Sequence, residues 1–103
     1  QRQGQPMAHM RFVTYHHRGG RLAPHVDLHR SESGVTSTRT FLLYLTDCPV
    51  GGETALLAHL HEPTALALVS PKRGRLLVFP HKCPHEGRQA VDVPKTFLRG
   101  EII

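Results

Sequence analysis

The sequence predicts an all-β domain built as two sheets packed in a jelly roll. Short β-prone runs recur between Gly- and Pro-rich turns, at the spacing of a sandwich or barrel. No amphipathic pattern spans three helical turns. The chain has 103 residues, 39% hydrophobic and 20% charged, which suits one folded core and leaves no room for a second. Residues 1–103 are therefore read as a single domain.

Taken in order, Gln1 to Pro6 is polar and expected to fray. Arg11 to Tyr15 alternates and forms the first strand, and Gly19-Gly20 makes a turn. Arg21 to Asp27 is a second strand, placed at an edge or bulge by Pro24. Arg30 to Ser37 reads as a loop, and Thr38 to Thr46 carries the strongest β signal. Pro49 to Gly52 turns the chain into a short strand, Glu53 to Leu57. Thr64 to Val69 follows, then a Pro71-to-Gly74 turn and the apolar strand Arg75 to Phe79. Pro80 and Pro84 bracket a bend, and Arg88 to Val93 and Lys95 to Ile103 complete about eight strands.

Thirteen Lys and Arg against eight Asp and Glu give a formal charge of +5. That fits a basic surface or a site for anions, yet no run of like charge marks a nucleic-acid tract. No apolar run is long enough to cross a bilayer, and no membrane partner is expected. Cys48 and Cys83 lie far apart, without a C-x-x-C, and read as reduced structural thiols. With no signal-peptide pattern, they place the chain in the cytoplasm or nucleus.

Nine histidines are the unusual feature of the composition. In His25-Val26-Asp27, strand geometry turns the imidazole and the carboxylate to one side. Such a pair supplies two ligands of a 2-His-1-carboxylate site, although a hydrogen-bonded surface pair has the same spelling. His85, after the apolar strand Leu76 to Phe79 and a Pro-bounded bend, is the candidate third ligand, and reads also as one more loop histidine in a His-rich chain. Lys95 lies ten residues further on, and Arg99 shares its face by strand parity. Either cation is suited to anchor a carboxylate by a charge-assisted hydrogen bond. His16-His17 reads as a solvated turn. His59-x-His61 lacks a carboxylate or Cys to complete a second metal site, and His81 and His85 share helical spacing between prolines that exclude a helix.

The order of these pieces resembles the 2-oxoglutarate and Fe(II)-dependent dioxygenases, and the prolyl 4-hydroxylase-like branch in particular. They are His25-Val26-Asp27, Gly51-Gly52-Glu53-Thr54, Pro71-Lys72-Arg73-Gly74 with Arg75 to Phe79, His85-Glu86-Gly87, and Lys95. The resemblance implies a double-stranded β-helix, a jelly-roll variant, here lacking the usual N-terminal support helices. It implies that His25, Asp27 and His85 bind Fe(II), and that Lys95 binds the far carboxylate of 2-oxoglutarate, with Arg99 as the other choice. It places Tyr44 beside that carboxylate and Tyr15 on the co-substrate pocket; both also read as core aromatics. Gly51, Gly52 and Gly87 are expected to serve the backbone. Fe(II), 2-oxoglutarate and O2 are the implied cofactors, with ascorbate as an accessory reductant.

By the same resemblance the chain hydroxylates a C–H bond, of a peptidyl proline or another protein side chain, and releases succinate and carbon dioxide. Nucleic-acid and small-molecule substrates rank below, and a non-catalytic or cupin-like metal-binding module is the competing reading. Leu28 to Ser37 and the first residues are expected to cover the substrate. Because the chain opens at Gln1, near its first core strand, it is expected to be the core of a longer protein or to lean on a partner that covers the sheet.

Overall fold

In a computed structural model of the chain, residues 4–16, 21–62, 64–91 and 93–103 are described. The Gly19-Gly20 turn, His17 and the first three residues lie outside them. The strands are β1 (Pro6–Tyr15), β2 (Leu22–His25), β3 (Ser31–Glu32), β4 (Val35–Thr36), β5 (Arg39–Tyr44), β6 (Thr54–Leu57), β7 (Ala65–Val69), β8 (Leu76–Pro80), β9 (His85–Gly87) and β10 (Lys95–Ile102). Among the described residues there is no helix, and so none long and apolar enough to cross a membrane.

Two four-stranded antiparallel sheets form the jelly roll, ordered β1-β10-β5-β8 and β2-β9-β6-β7. Their register follows the alternation of the sequence. On β10 the inward residues are Lys95, Phe97, Arg99 and Glu101, facing Tyr44, Leu42 and Thr40 across β5. On β8, Phe79 and Leu77 pair with Thr40 and Leu42 of β5 and point the same way. Leu42, Tyr44, Phe79 and Phe97 make the core, with Val13, Tyr15, Leu56, Val69, Leu77 and Cys83 packed around them. Each fully buried large side chain contributes roughly 1.5–3 kcal/mol. The opposite face of the first sheet exposes Met10, Phe12, Leu76 and Val78.

Four expectations change. The Arg30-to-Ser37 segment is no plain loop: β3 and β4 pair as a two-stranded ribbon, turned by Ser33 and Gly34 at positive φ. Among its described residues, Arg88 to Val93 forms no strand: a single bridge joins Gly51 and Ala90, and backbone hydrogen bonds tie Arg88, Gln89 and Val91 to the Val50-to-Glu53 turn. The strand not expected is β9, which follows the Pro80-to-Pro84 bend and pairs His85 with His25 of β2 and Leu56 of β6. The first strand also begins earlier, at Pro6, which pairs with Ile102.

Gly100 is the one place on β10 where a side chain has no room. The Phe41 ring of the neighbouring strand lies across it, so that a Cβ would collide with the ring.

Candidate metal centre

Two strands of the second sheet carry the histidines. His25 ends β2 and His85 begins β9; they are register partners, with ring centroids 4.2 Å apart. Asp27 lies two residues beyond β2, where its backbone N–H donates to the His81 carbonyl oxygen at 3.1 Å. That bond turns the chain out of the strand and keeps the Asp27 carboxylate on the side of His25. Asp27 Oδ1 is 3.4 Å from His25 Nε2, and Oδ2 is 3.5 Å from His85 Nε2. Ligand atoms of all three residues fall within 4.8 Å of one another, the one such His/Cys/Asp/Glu group among the described residues.

The hydrogen bonds orient both rings. His25 Nδ1 lies 2.8 Å from the Ala23 carbonyl oxygen, and His85 Nδ1 lies 2.9 Å from that of Cys83. A carbonyl only accepts, so Nδ1 of each ring carries a proton and each ring turns its Nε2 toward Asp27. Burial holds the His85 imidazole below its ordinary pKa, against the Cys83 carbonyl and Asp27, which raise it. Burial alone would raise the Asp27 carboxyl. The Thr40 hydroxyl bond, then His85, Arg99 and His25, bring it below the ordinary value instead. Two imidazole Nε2 atoms and a carboxylate thus converge, the ligand types that bind a divalent metal.

A cavity of about 450 Å³ opens beside this group. Lys95 and Gly87 line one end; Arg11, Val13 and Tyr15 of β1 line a wall. Lys95 is 1% exposed, and its ammonium donates to the Gly52 carbonyl oxygen at 2.9 Å. Burial lowers its pKa, against Cys48 and Glu53, which raise it. Among the described residues no carboxylate lies within ion-pair distance of Lys95. Gly51 and Gly52 both hold positive φ, 72° and 75°, so the turn they make aims the Gly52 carbonyl at Lys95.

The other expected residues separate. Arg99 shares the inward face of Lys95, yet its guanidinium meets Asp27 Oδ2 at 3.2 Å and Glu101 Oε1 at 2.9 Å. Its neighbours are therefore carboxylates of the protein. Tyr15 lines the cavity, its ring centroid 5.2 Å from Lys95 Nζ. Tyr44 is fully buried behind the wall, its hydroxyl 2.6 Å from Thr54 Oγ1. Burial raises its phenol pKa, against the Thr54 bond. Thr54, not Tyr44, lines the cavity. Thr54 stands in the Gly-Gly-Glu-Thr motif, the signal that could have found it. Leu28 to Ser37 contributes no residue to the cavity lining; His29, Thr36 and Ser37 line a different cavity. Cys48 and Cys83 are free thiols, and His16, His59 and His61 are exposed.

A jelly roll holding two histidines and a carboxylate at one end of an open cavity, with a buried cation inside it, is the architecture of a non-haem metal oxygenase or a cupin. The model of the 2OG-Fe(II) oxygenase superfamily matches residues 10–100, and the chain belongs to that superfamily. Membership implies Fe(II) and 2-oxoglutarate at the level of the family, and the chain is an oxygenase in that coarse sense. Among curated proteins no sequence matches it. One similar solved structure is an RmlC-like cupin protein from Desulfovibrio desulfuricans, with TM-score 0.54 and 18% identity over 95% of this chain and 78% of that one. That likeness concerns the fold alone.

Proposed function

We propose that the chain is an Fe(II)- and 2-oxoglutarate-dependent hydroxylase of the prolyl 4-hydroxylase-like branch, acting on a peptidyl proline or another protein side chain. The observation that carries this is the convergence of His25, Asp27 and His85 on a cavity also lined by Lys95, a buried ammonium with no carboxylate partner among the described residues. His25, Asp27 and His85 would hold Fe(II). Lys95 would hold the far carboxylate of 2-oxoglutarate, with Thr54 on the adjacent wall. When bound, Fe(II) and 2-oxoglutarate supply, with O2, the oxidising power that turns a C–H bond into C–OH while succinate and carbon dioxide leave.

The protein's own part is to orient and exclude water. Both Nε2 lone pairs are fixed by backbone carbonyls, so the donor atoms need little rearrangement on binding. A desolvated ammonium recognises a carboxylate more strongly than an exposed one does, because water competes less. Tyr15, with its ring beside Lys95, packs against the chain of a bound diacid. The protein substrate is supported by the open side of the centre: His25 is 31% exposed, whereas His85 is 7%. A side chain presented from a larger molecule would approach from the His25 side.

The test is to incubate the chain with Fe(II), 2-oxoglutarate and a proline-containing peptide in air. Gain of one oxygen atom by the peptide, with one succinate formed, supports the reading. Succinate formed without peptide oxidation, but stimulated by an oligonucleotide or a small molecule, moves the substrate to that class. Metal binding with no 2-oxoglutarate turnover under any of these conditions favours the cupin-like binding module.

A further inference from the structure

Asp27 borders two cavities. Besides the one described, a second of about 320 Å³ lies on its other side, lined in part by His29, Ser37, His81 and Lys82. Between them runs a buried chain of hydrogen bonds whose direction is fixed link by link. The Arg30 backbone N–H donates to Ser37 Oγ at 2.8 Å, and Ser37 Oγ lies 2.8 Å from His81 Nε2. The Thr40 hydroxyl donates to Asp27 Oδ2 at 2.6 Å. Its single proton is then used, so it must accept from His81 Nδ1, 2.7 Å away. His81 therefore carries its proton on Nδ1, and its Nε2 accepts from the Ser37 hydroxyl. Every donor in this chain has an acceptor, and every step points toward Asp27.

Ser37, Thr40 and His81 are 1%, 0% and 4% exposed. Burying three polar side chains is unfavourable unless all are paired, and an apolar trio would fill the space with less desolvation. The same His81 also accepts the Asp27 backbone N–H on its carbonyl oxygen. It thus grips Asp27 at the main chain directly and at the carboxylate through Thr40. With Arg99 at 3.2 Å, Oδ2 has two hydrogen-bond donors and also lies 3.5 Å from His85 Nε2, whereas Oδ1 meets only His25 Nε2.

We propose that His81 is a positioning residue which, acting through Thr40, ties down Asp27 Oδ2 and so leaves Oδ1 as the oxygen offered to a metal between His25 and His85. The inference rests on the metal-site reading given above. A carboxylate held at one oxygen cannot turn to offer both, and its partners on the far side set how firmly it binds.

Co(II) added to the full chain is the probe, read by affinity and by its visible ligand-field spectrum. His81→Leu and Thr40→Val should each weaken Co(II) binding by roughly 10–100-fold and change the spectrum. His81→Asn, whose amide N–H stands near the place of Nδ1, and Thr40→Ser should recover most of the affinity. The double variant Thr40→Val/His81→Leu should bind no more weakly than the weaker single variant, because the two act in series. If His81→Leu does not fold, the Thr40 pair and His81→Asn still decide the matter. Unchanged Co(II) affinity and spectrum in Thr40→Val, or losses that add in the double variant, overturn the positioning role while leaving the metal site intact. A wild-type chain that binds no Co(II) overturns the metal-site reading and this inference together.

Discussion

The ammonium of Lys95 lies 2.9 Å from the carbonyl oxygen of Gly52 and is buried at the end of the main cavity. One neutral acceptor and the Tyr15 and Phe97 rings, 5.2 and 5.7 Å away, are a poor match for a buried cation, so this charge is held at some expense to the fold. Lys95→Met should therefore leave the melting temperature of the free chain unchanged or raised. The same substitution should weaken 2-oxoglutarate binding by roughly 10–100-fold, the worth of one charge-assisted hydrogen bond. Calorimetric melting and a 2-oxoglutarate titration of one preparation check both. A destabilised variant that keeps its affinity would show that Lys95 is structural.

Thr54 and Tyr44 share a 2.6 Å hydrogen bond, but only Thr54 reaches the cavity. Thr54→Val should weaken 2-oxoglutarate binding more than Tyr44→Phe does. Each alone should destabilise the fold by about 1–3 kcal/mol through the unpaired hydroxyl left behind, and the double variant by less than the sum. Denaturant melts and co-substrate titrations of the three variants make the comparison. A larger binding defect in Tyr44→Phe would contradict it.

Stability should fall with acid. Burial holds His81 and His85 below the ordinary imidazole pKa. In the unfolded chain each takes its proton near about pH 6.5, and in the folded chain only at lower pH. Across that window the unfolded state binds more protons, so stability rises with pH and is lost as pH drops from about 6.5. Asp27, depressed in the fold, contributes stability above its unfolded value of about 3.9, and this is lost as pH falls through its folded value. The metal-free melting temperature should drop between about pH 7 and 5, and His81→Asn should make that drop shallower. A flat profile for the wild type would show that neither histidine is held neutral by the fold.

Gly100→Ala should destabilise the chain by about 1–3 kcal/mol, because the added methyl meets the Phe41 ring. Gly100→Ala combined with Phe41→Leu should recover part of the loss. Urea melts of both variants read this directly, and an unaffected Gly100→Ala would mean that the ring yields freely.

The jelly roll was legible because its longer strands alternate and its turns are spelled in Gly and Pro. The elements that escaped are those with too few residues to carry a period. β3 and β4 hold two residues each and β9 three, following Pro84. Arg88 to Val93 was β-prone, but its described residues lie against the Val50-to-Glu53 turn and form only one bridge there; an extended partner rather than propensity makes a strand. At the site, His25, Asp27, His85 and Lys95 were visible because their spacing is a motif. Thr40 and His81 were not, since their contact joins β5 to the turn after β8 across 41 residues. Arg99 was placed on the correct face, but its ion pair with Asp27 depends on how β10 packs over the end of β2, which strand parity does not reveal.

The most direct test of the central reading is an anaerobic titration of the chain with Fe(II) and 2-oxoglutarate, run beside His85→Ala. Iron chelated by a 2-oxo acid gives a weak visible charge-transfer band. The expected result is that band in the wild type and its loss in His85→Ala. A folded wild-type chain that binds Fe(II) and shows no band with 2-oxoglutarate would contradict the reading and leave a metal-binding jelly roll in its place.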